Sequence, residues 1–574
     1  MSQQYRVKQI ILISFFVLVS INQAYAAPPV DAGTIQRDIE KLKAPNLPPV
    51  AKPADKEPTS PNVDAALSVK VTAFQFIGAT LLPDTQLQAE VASYIGQTLD
   101  YNALNTVTKK ISQLYQKNGW LAKVFLPPQD IQNGIVTIEI NEAKLGDVRT
   151  NNNAKARLNP AVATQLLAGV QQKGAPLNSK ALERAMLLIN DTPGFAAIAT
   201  LSSGAQTGQT DISIQLIDKP LFNANIWADN YGSRLLGKAR LNGQVSLNNI
   251  SGWGDQLNLQ ALLSRGLEYV HADIDLPVSN YGTRLNLGGA VTNYRVVQGA
   301  SAVLKPQGDS YAIKLALKHP IMRSRFKNVN LYSSLESFNS RDSLLGLQIS
   351  NKAYRTFMIG LKADSSDAFG AQLGLGGGTF WGGANITAGN LSLDNASELA
   401  ADILTKRSDG SYNKLNFYLG RQQILSEKWI AKALLSGQFA NTNLGGFEKF
   451  SLGGPAGLSG FTVGEANADQ GWMLNLEGRY AITTQWSANF LADAGGVCQY
   501  KNTWAGWNAA NPNQENCYQL ASMGVGLGYT NQYIDGRLIY GRRITGNRGA
   551  DSLGNDSEGE NSKQQLWLQV GTRF

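Results

Sequence analysis

From Pro220 to Phe574 the chain alternates apolar and polar residues almost continuously, and no helical period interrupts it. Ala239, Leu241, Val245 and Leu247 alternate with Lys238, Arg240, Asn242, Gln244 and Ser246. Val270, Ala272, Ile274 and Leu276 alternate with Tyr269, His271, Asp273 and Asp275, and Leu415, Phe417 and Leu419 with Lys414, Asn416 and Tyr418. A period of two puts every second side chain on one face of a strand. Apolar on one face and polar on the other suits a closed sheet in lipid, because an open edge in hydrocarbon would leave backbone groups unpaired. At roughly 10 residues per span plus turns, the length predicts a transmembrane β-barrel of about 16 antiparallel strands.

Composition agrees. Charged residues are 16% of the chain and glycines number 57, against roughly 25% charged and 7% Gly in ordinary soluble domains. No stretch approaches about 18 consecutive apolar residues, so helical spans are excluded as the architecture. The last strand places Leu566, Leu568, Val570, Thr572 and Phe574 on one face, as lipid contact requires.

The N-terminus has the form of a secretory signal over residues 1–26. Arg6 and Lys8 precede an apolar core from Ile10 to Ile21, and Ala24-Tyr25-Ala26 supplies small residues for cleavage. Residues 27–66 begin with a short amphipathic segment, Gly33–Lys43, in which Ile35, Ile39 and Leu42 share a helical face. Pro45, Pro48, Pro49, Pro53, Pro58 and Pro61 then make an extended linker.

Two small α/β units follow, at 67–144 and 145–218. The first reads as a strand at Val71–Ile77, a helix from Pro83 to about Ile95, and a second helix capped by Asp100 and ended by Gly119. Strands at Trp120–Leu126 and Ile135–Ile140 complete it. In the second unit Pro160 opens a helix, and Asn178 or Ser179 caps another that breaks at Asp191-Thr192-Pro193-Gly194. Strands at Phe195–Leu201 and Asp211–Leu216 close it. Residues 219–574 are the barrel.

No catalytic constellation emerges, with no Gly-x-Ser-x-Gly elbow, His-Glu-x-x-His pair or Walker loop. The expectation is a protein that is not an enzyme and needs no cofactor or metal. Gly374 to Gly378 lacks the Lys and helix of a phosphate loop and reads as a turn. His271, Asp273 and Asp275 read as lumen lining. The net charge of +8 comes without a basic run interleaved with aromatics, so nucleic acid is excluded as a partner. Cys498 and Cys517, an even pair in an exported chain, are expected to form a disulfide stapling one loop.

The stretch Ser451 to Tyr480, with Leu491-Ala492-Asp493-Ala494-Gly495 in the following strand, resembles the inward-folded sixth loop of the outer-membrane transporters of two-partner secretion. In that family an Arg-Gly-aromatic motif on the loop reaches a wall Asp in an x-Asp-x-Gly strand. Gly460 and Phe461 match the motif, Asp493 and Gly495 match the strand, and Ser459 stands in the Arg position. The run Pro127 to Gly134, with Gln129 and Ile131, resembles the family's first POTRA domain, and Leu182 to Gly194 its second.

The resemblance implies a plug helix (Ile35, Ile39, Leu42), two periplasmic POTRA domains and an export pore of the hemolysin/adhesin secretion type. It implies a large exoprotein client with an N-terminal secretion domain, contacted by the POTRA modules near Gln129, Ile131, Gly134, Leu182 and Gly194. Outer-membrane lipid, the barrel-assembly machinery during biogenesis and a monomeric state complete the expectation. Asp493 is expected to accept from a cation, with Arg479 as the stand-in for the missing loop Arg. An outer-membrane protein insertase is the alternative.

Overall fold

A computed structural model describes residues 30–41, 68–152 and 157–574. The signal sequence, the Pro-rich linker and Leu42 lie outside the described residues.

The first described element is helix α1 (Ala32–Lys41). The first α/β unit holds β1 (Ser68–Lys70), β2 (Ala73–Ile77), α2 (Asp84–Val91), β3 (Thr98–Asp100), α3 (Tyr101–Lys117), β4 (Ala122–Phe125) and β5 (Ile135–Glu142). Its sheet runs β2-β5-β4, with β1 and β3 paired separately. Asp100 caps α3 by accepting from the Ala103 N–H at 2.7 Å. Leu104, Val107, Ile111 and Leu114 then recur at helical spacing and are all buried against the sheet. The strand expected at Val71–Ile77 begins two residues later, at Ala73, because Val71 and Thr72 hydrogen-bond Gln97 and Gly134 instead, and the separate strand β1 precedes them. The first helix ends at Val91 and gives way to a 3₁₀ turn, Ala92–Tyr94.

The second unit holds β6 (Lys144–Asn152), α4 (Pro160–Ala168), α5 (Ser179–Asp191), β7 (Phe195–Ser203) and β8 (Gln209–Asp218), with sheet order β6-β8-β7. Strand β6 has no counterpart in the sequence reading. Its parallel pairing to β8 is a long-range contact that local periodicity does not encode. Asn178 caps α5, accepting from the Lys180 and Ala181 N–H groups at 3.0 Å each.

Sixteen antiparallel strands then close into one barrel. They are β9 (Phe222–Asp229), β10 (Arg240–Asn248), β11 (Gln256–Ser264), β12 (Leu267–Pro277), β13 (Arg284–Arg295), β14 (Gln307–Arg323), β15 (Lys327–Leu344) and β16 (Leu347–Asp367). The second half is β17 (Gly378–Leu393), β18 (Gly410–Ile424), β19 (Trp429–Ala440), β20 (Gln470–Ala481), β21 (Trp486–Cys498), β22 (Cys517–Thr530), β23 (Ile534–Arg543) and β24 (Gln564–Arg573). Helix α6 (Ala396–Leu404) sits in the loop between β17 and β18.

Closure is made by β24 on β9, with Gln569 opposite Asp229 and Arg573 opposite Asn225. Leu241, Val270, Leu335, Ile386 and Leu568 point outward and are exposed, whereas their neighbours Asn242, Tyr269, Ser334, Thr387 and Trp567 are buried inside. That is the alternation a lipid-facing wall demands.

The second α/β unit packs on the short turns at one end of the barrel. Arg323 grips Asp191 through two hydrogen bonds, at 2.7 and 2.8 Å, and Arg184 donates to the Pro320 carbonyl at 2.6 Å. The residues from Gly374 to Gly377 belong to a turn at this same end, between β16 and β17. The long loops therefore emerge at the opposite end.

Candidate gate in the barrel lumen

The loop after β19, residues 441–469, does not project outward. It folds back into the barrel, where Leu452, Leu458, Phe461 and Ala468 are completely buried. Its two arms are tied by mutual backbone hydrogen bonds between Phe450 and Ala468, at 2.7 and 2.8 Å. The tip presses on β23. A Cβ on Gly460 would stand 2.6 Å from the Arg542 backbone, and one on Gly541 would stand 2.2 Å from the Ser459 carbonyl oxygen. Glycine is needed at both positions for close approach, and Gly460 has no positive φ. Gly495 has a similar use, since a Cβ there would meet Leu452 at 2.5 Å.

Ser459 and Asp493 are in contact. The Ser459 N–H and hydroxyl both donate to one carboxylate oxygen of Asp493, at 3.0 and 2.8 Å. The Ser522 hydroxyl reaches the same oxygen at 3.3 Å, and the Asn475 amide donates to the other at 2.9 Å. Strand register produces this set, since Asn475 and Ser522 lie directly opposite Asp493 on the two neighbouring strands. Trp567 completes the clamp by donating its indole N–H to the Ser459 carbonyl at 2.8 Å.

Two expectations are corrected here. No cation contacts Asp493 among the described residues; four neutral donors satisfy it instead. Arg479 does not stand in, because it lies opposite Asn489, four residues along β20 from Asn475, or roughly 13 Å at strand rise. The cation near the loop tip is Arg543, at the end of β23. Its guanidinium lies 4.7 Å from the Phe461 ring centre, donates to the Gly460 carbonyl at 3.3 Å and pairs with buried Asp556 at 2.9 Å. Sequence reasoning missed Arg543, which carries no local motif. Trp567 was within reach, since the alternation of Leu566 and Leu568 already turns it inward.

Helix α1 lies in the lumen, held by the wall on one side and the folded loop on the other. Its first turn is closed by Asp31, which accepts from the Thr34 N–H at 2.7 Å, and the Ala32 N–H reaches Asp342 of β15 at 3.2 Å. Ile35 and Ile39 are buried in a cluster with Tyr294, Phe338 and Phe447. The polar residues are engaged too. Gln36 accepts from Thr292 at 2.8 Å, Arg37 donates to the Gly446 and Lys449 carbonyls at 3.3 Å each, and Lys41 donates to the Ser451 carbonyl at 2.6 Å. Lys352 of β16 links Asp31 to Glu398 of α6, at 3.5 and 3.4 Å.

The base of the folded loop is fixed by Asp469, which accepts from the Leu444 N–H, Lys449 and the Lys501 N–H at 3.1, 2.6 and 2.9 Å. Lys501 belongs to the next loop, 499–516, whose two ends are joined by the Cys498–Cys517 disulfide.

The five residues near the proposed client surface lie apart from the lumen, and most serve their own modules. Gln129 closes its loop by exchanging two 2.7 Å hydrogen bonds with the Thr137 backbone. Ile131 packs on the core of the first unit and Leu182 on that of the second. Gly134 follows Asn133 in a turn where both φ values are positive, 74° and 56°. Gly194 abuts Asn249 in the first short turn of the barrel.

The family profile described as haemolysin secretion/activation protein ShlB/FhaC/HecB matches residues 208–529, and that of the POTRA domain, ShlB-type, matches residues 69–143. The heme/hemopexin transporter protein HuxB of Haemophilus influenzae (strain 86-028NP) is 26% identical over 535 residues, covering 90% of this chain and 91% of its own. The outer membrane transporter CdiB of Escherichia coli O6:K15:H31 (strain 536) is 23% identical, covering 80% and 76%. Among solved structures, CdiB from Escherichia coli superposes with a TM-score of 0.69 at 19% identity, covering 94% of this chain and 95% of that one.

Proposed function

The chain belongs to the haemolysin secretion/activation protein family ShlB/FhaC/HecB, and we propose that its plugged barrel is the resting state of a gated export pore. As a member of that family it is an outer-membrane transporter of two-partner secretion, which carries a partner exoprotein out of the periplasm where its POTRA modules lie. What supports a gated pore is the position of α1. It lies in the lumen, and its holds on the folded loop and the wall are a few hydrogen bonds and a short apolar face, Ala32, Ile35 and Ile39, with no covalent or strand-paired tie.

In this scheme the client arrives unfolded, with its N-terminal secretion domain leading. It docks on the POTRA modules by adding a strand to an exposed edge. Strand β7 offers such an edge, with Ile198 and Leu201 exposed on it. Gln129, Ile131, Gly134, Leu182 and Gly194 keep the modules in shape beneath the client. Helix α1 then withdraws, and Ser459, Gly460 and Phe461 of the folded loop, held by Asp493 beside Gly495, form the inner wall past which the client threads. Folding at the surface supplies the drive. The barrel closes on itself through β24 and β9, which supports a monomer, inserted by the barrel-assembly machinery.

The test compares surface and medium proteomes of a parent strain and one lacking this gene. Loss of one large exported protein, with other barrels unchanged, is the expected result. A broad fall in many outer-membrane barrels would point to an insertase and overturn the export scheme.

A further inference from the structure

The outward face of β14–β18 carries a feature that export does not use. Pairing aligns Ile313, Ser337, Arg355, Asn390 and Ser411 in one row across the five strands. The next row toward the POTRA end is Leu315, Leu335, Phe357, Ala388 and Asn413. Beyond it Ile359, Ile386 and Leu415 continue the apolar belt. Arg355 thus stands about 7 Å, or two residues of strand rise, above Phe357 on the side of the long loops. An arginine facing lipid is costly at the bilayer midplane and nearly free at its edge, so this row marks the outer boundary of the hydrocarbon.

The same two rows enclose a groove of about 650 Å³. It exists because Ser337, Ala388 and Ser411 are small where their neighbours Ile313, Leu335 and Phe357 are large. Arg355 is exposed in it, and its guanidinium uses one nitrogen, on the Asn339 amide oxygen at 3.3 Å and the Tyr354 carbonyl at 2.9 Å. Among the described residues it has no carboxylate partner. Glu336, at the inner wall, is paired with Lys314 at 3.1 Å. The remaining guanidinium N–H groups lie at the polar rim with the Asn390 amide, which donates one N–H to the Ser411 hydroxyl oxygen at 3.3 Å and leaves its second N–H and the Ser411 O–H for a ligand, and the floor is apolar.

We propose that this groove binds a phosphorylated glycolipid of the outer leaflet. Its phosphate sits on the free side of the Arg355 fork, with Asn390 and Ser411 as further donors, and the first part of one acyl chain lies along Ile313, Leu335 and Phe357. Arg presents a planar fork suited to a phosphate's oxygens, and the height of the row matches the boundary between headgroup and acyl chain. A free phosphate would have no use for the apolar floor. Bound lipid would fix the depth of the barrel on the side where its longest strands, β15 and β16, rise farthest from the membrane.

The experiment is native mass spectrometry of the full-length transporter in detergent, incubated with bis-phosphorylated lipid A or with the same lipid A stripped of phosphate. Wild type is compared with Arg355→Gln and with Ala388→Leu, which fills the groove and leaves the guanidinium in place; heat-modifiable gel migration checks that each barrel is folded. Wild type should retain the phosphorylated lipid about five-fold better than Arg355→Gln, the effect of one basic residue at a charged lipid surface. The stripped lipid should bind both equally weakly. Ala388→Leu should also lose the phosphorylated lipid, and excess inorganic phosphate should not displace it from wild type. Equal retention by wild type and Arg355→Gln, indifference of wild type to the phosphates, full binding by Ala388→Leu, or displacement by inorganic phosphate would each overturn the proposal.

Discussion

Ser459 meets Asp493 twice, through its N–H at 3.0 Å and its hydroxyl at 2.8 Å, and no charge is involved on the loop side. The positive charge sits instead on the barrel side, where Arg543 covers Phe461 and is neutralised by Asp556. The contact between loop and wall is therefore kept while its charge pattern is redistributed.

That redistribution predicts the outcome of restoring the family's arginine. Ser459→Arg alone should weaken the loop, because the site is buried and already holds one cation within reach of Phe461. In the Ser459→Arg background, Arg543→Ser should cost less than it does alone, because the loop guanidinium, one residue from Gly460 where Arg543 now donates, can take its place beside Asp556. Arg543→Ser alone should be the worst of the three. It strands buried Asp556, a loss on the order of 3–5 kcal/mol for a broken buried pair. Thermal unfolding of the purified barrels ranks them, and additive losses in the double variant would refute the exchange.

Release of the plug is the second prediction. Arg37 makes two long hydrogen bonds to loop carbonyls, each at 3.3 Å. Replacing it with Gln should cost about 1–3 kcal/mol of plug retention, seen in planar bilayers as a higher open probability. Ile39→Ala should act in the same direction by removing buried apolar contact. Conductance traces indistinguishable from wild type for both variants would mean that the helix does not close the pore.

The barrel was legible because lipid imposes period-two alternation on every strand, so Leu241, Val270 and Leu568 announce their face locally. Helix α3 was legible for a like reason, through the Asp100 cap and the spacing of Leu104 to Leu114. Strand β6 was not, since its parallel partner lies some 60 residues away and nothing in its own pattern marks it. The gate divides the same way. The stretches at 459–461 and 493–495 can be picked out by motif, but the donors Asn475 and Ser522 come from strand register. Arg543 comes from closure of the barrel around the loop, and neither leaves a signature in neighbouring residues.

Acid should loosen the first POTRA unit through Glu142. Burial alone would raise its pKa, but the Thr80 hydroxyl and N–H, the Leu81 N–H and the Tyr115 hydroxyl all donate to it, and the net result is a pKa below the usual glutamate value. A depressed folded pKa means that the contribution is present above the unfolded value of about 4.3 and fades as pH falls through the folded one. Glu142→Gln should therefore lower hydrogen-exchange protection of α3 at pH 7, where wild type is charged. The two proteins should converge only once the pH has fallen below the depressed folded pKa of Glu142. Equal protection at pH 7 would show that the carboxylate charge does not hold this unit together.

The disulfide should influence the plug at a distance. Cys498–Cys517 closes the base of loop 499–516, and that loop supplies the Lys501 N–H to Asp469 and the Gln499 carbonyl to Lys449. Lys449 in turn offers its own carbonyl to Arg37 of α1. Opening the staple frees the first link, so Cys498→Ser/Cys517→Ser should raise the open probability of the pore, by less than Arg37→Gln because two other contacts still hold Asp469. Dithiothreitol should reproduce the effect in wild type and do nothing further in the double variant. A response to reductant that persists in the cysteine-free protein would assign it to something other than this loop.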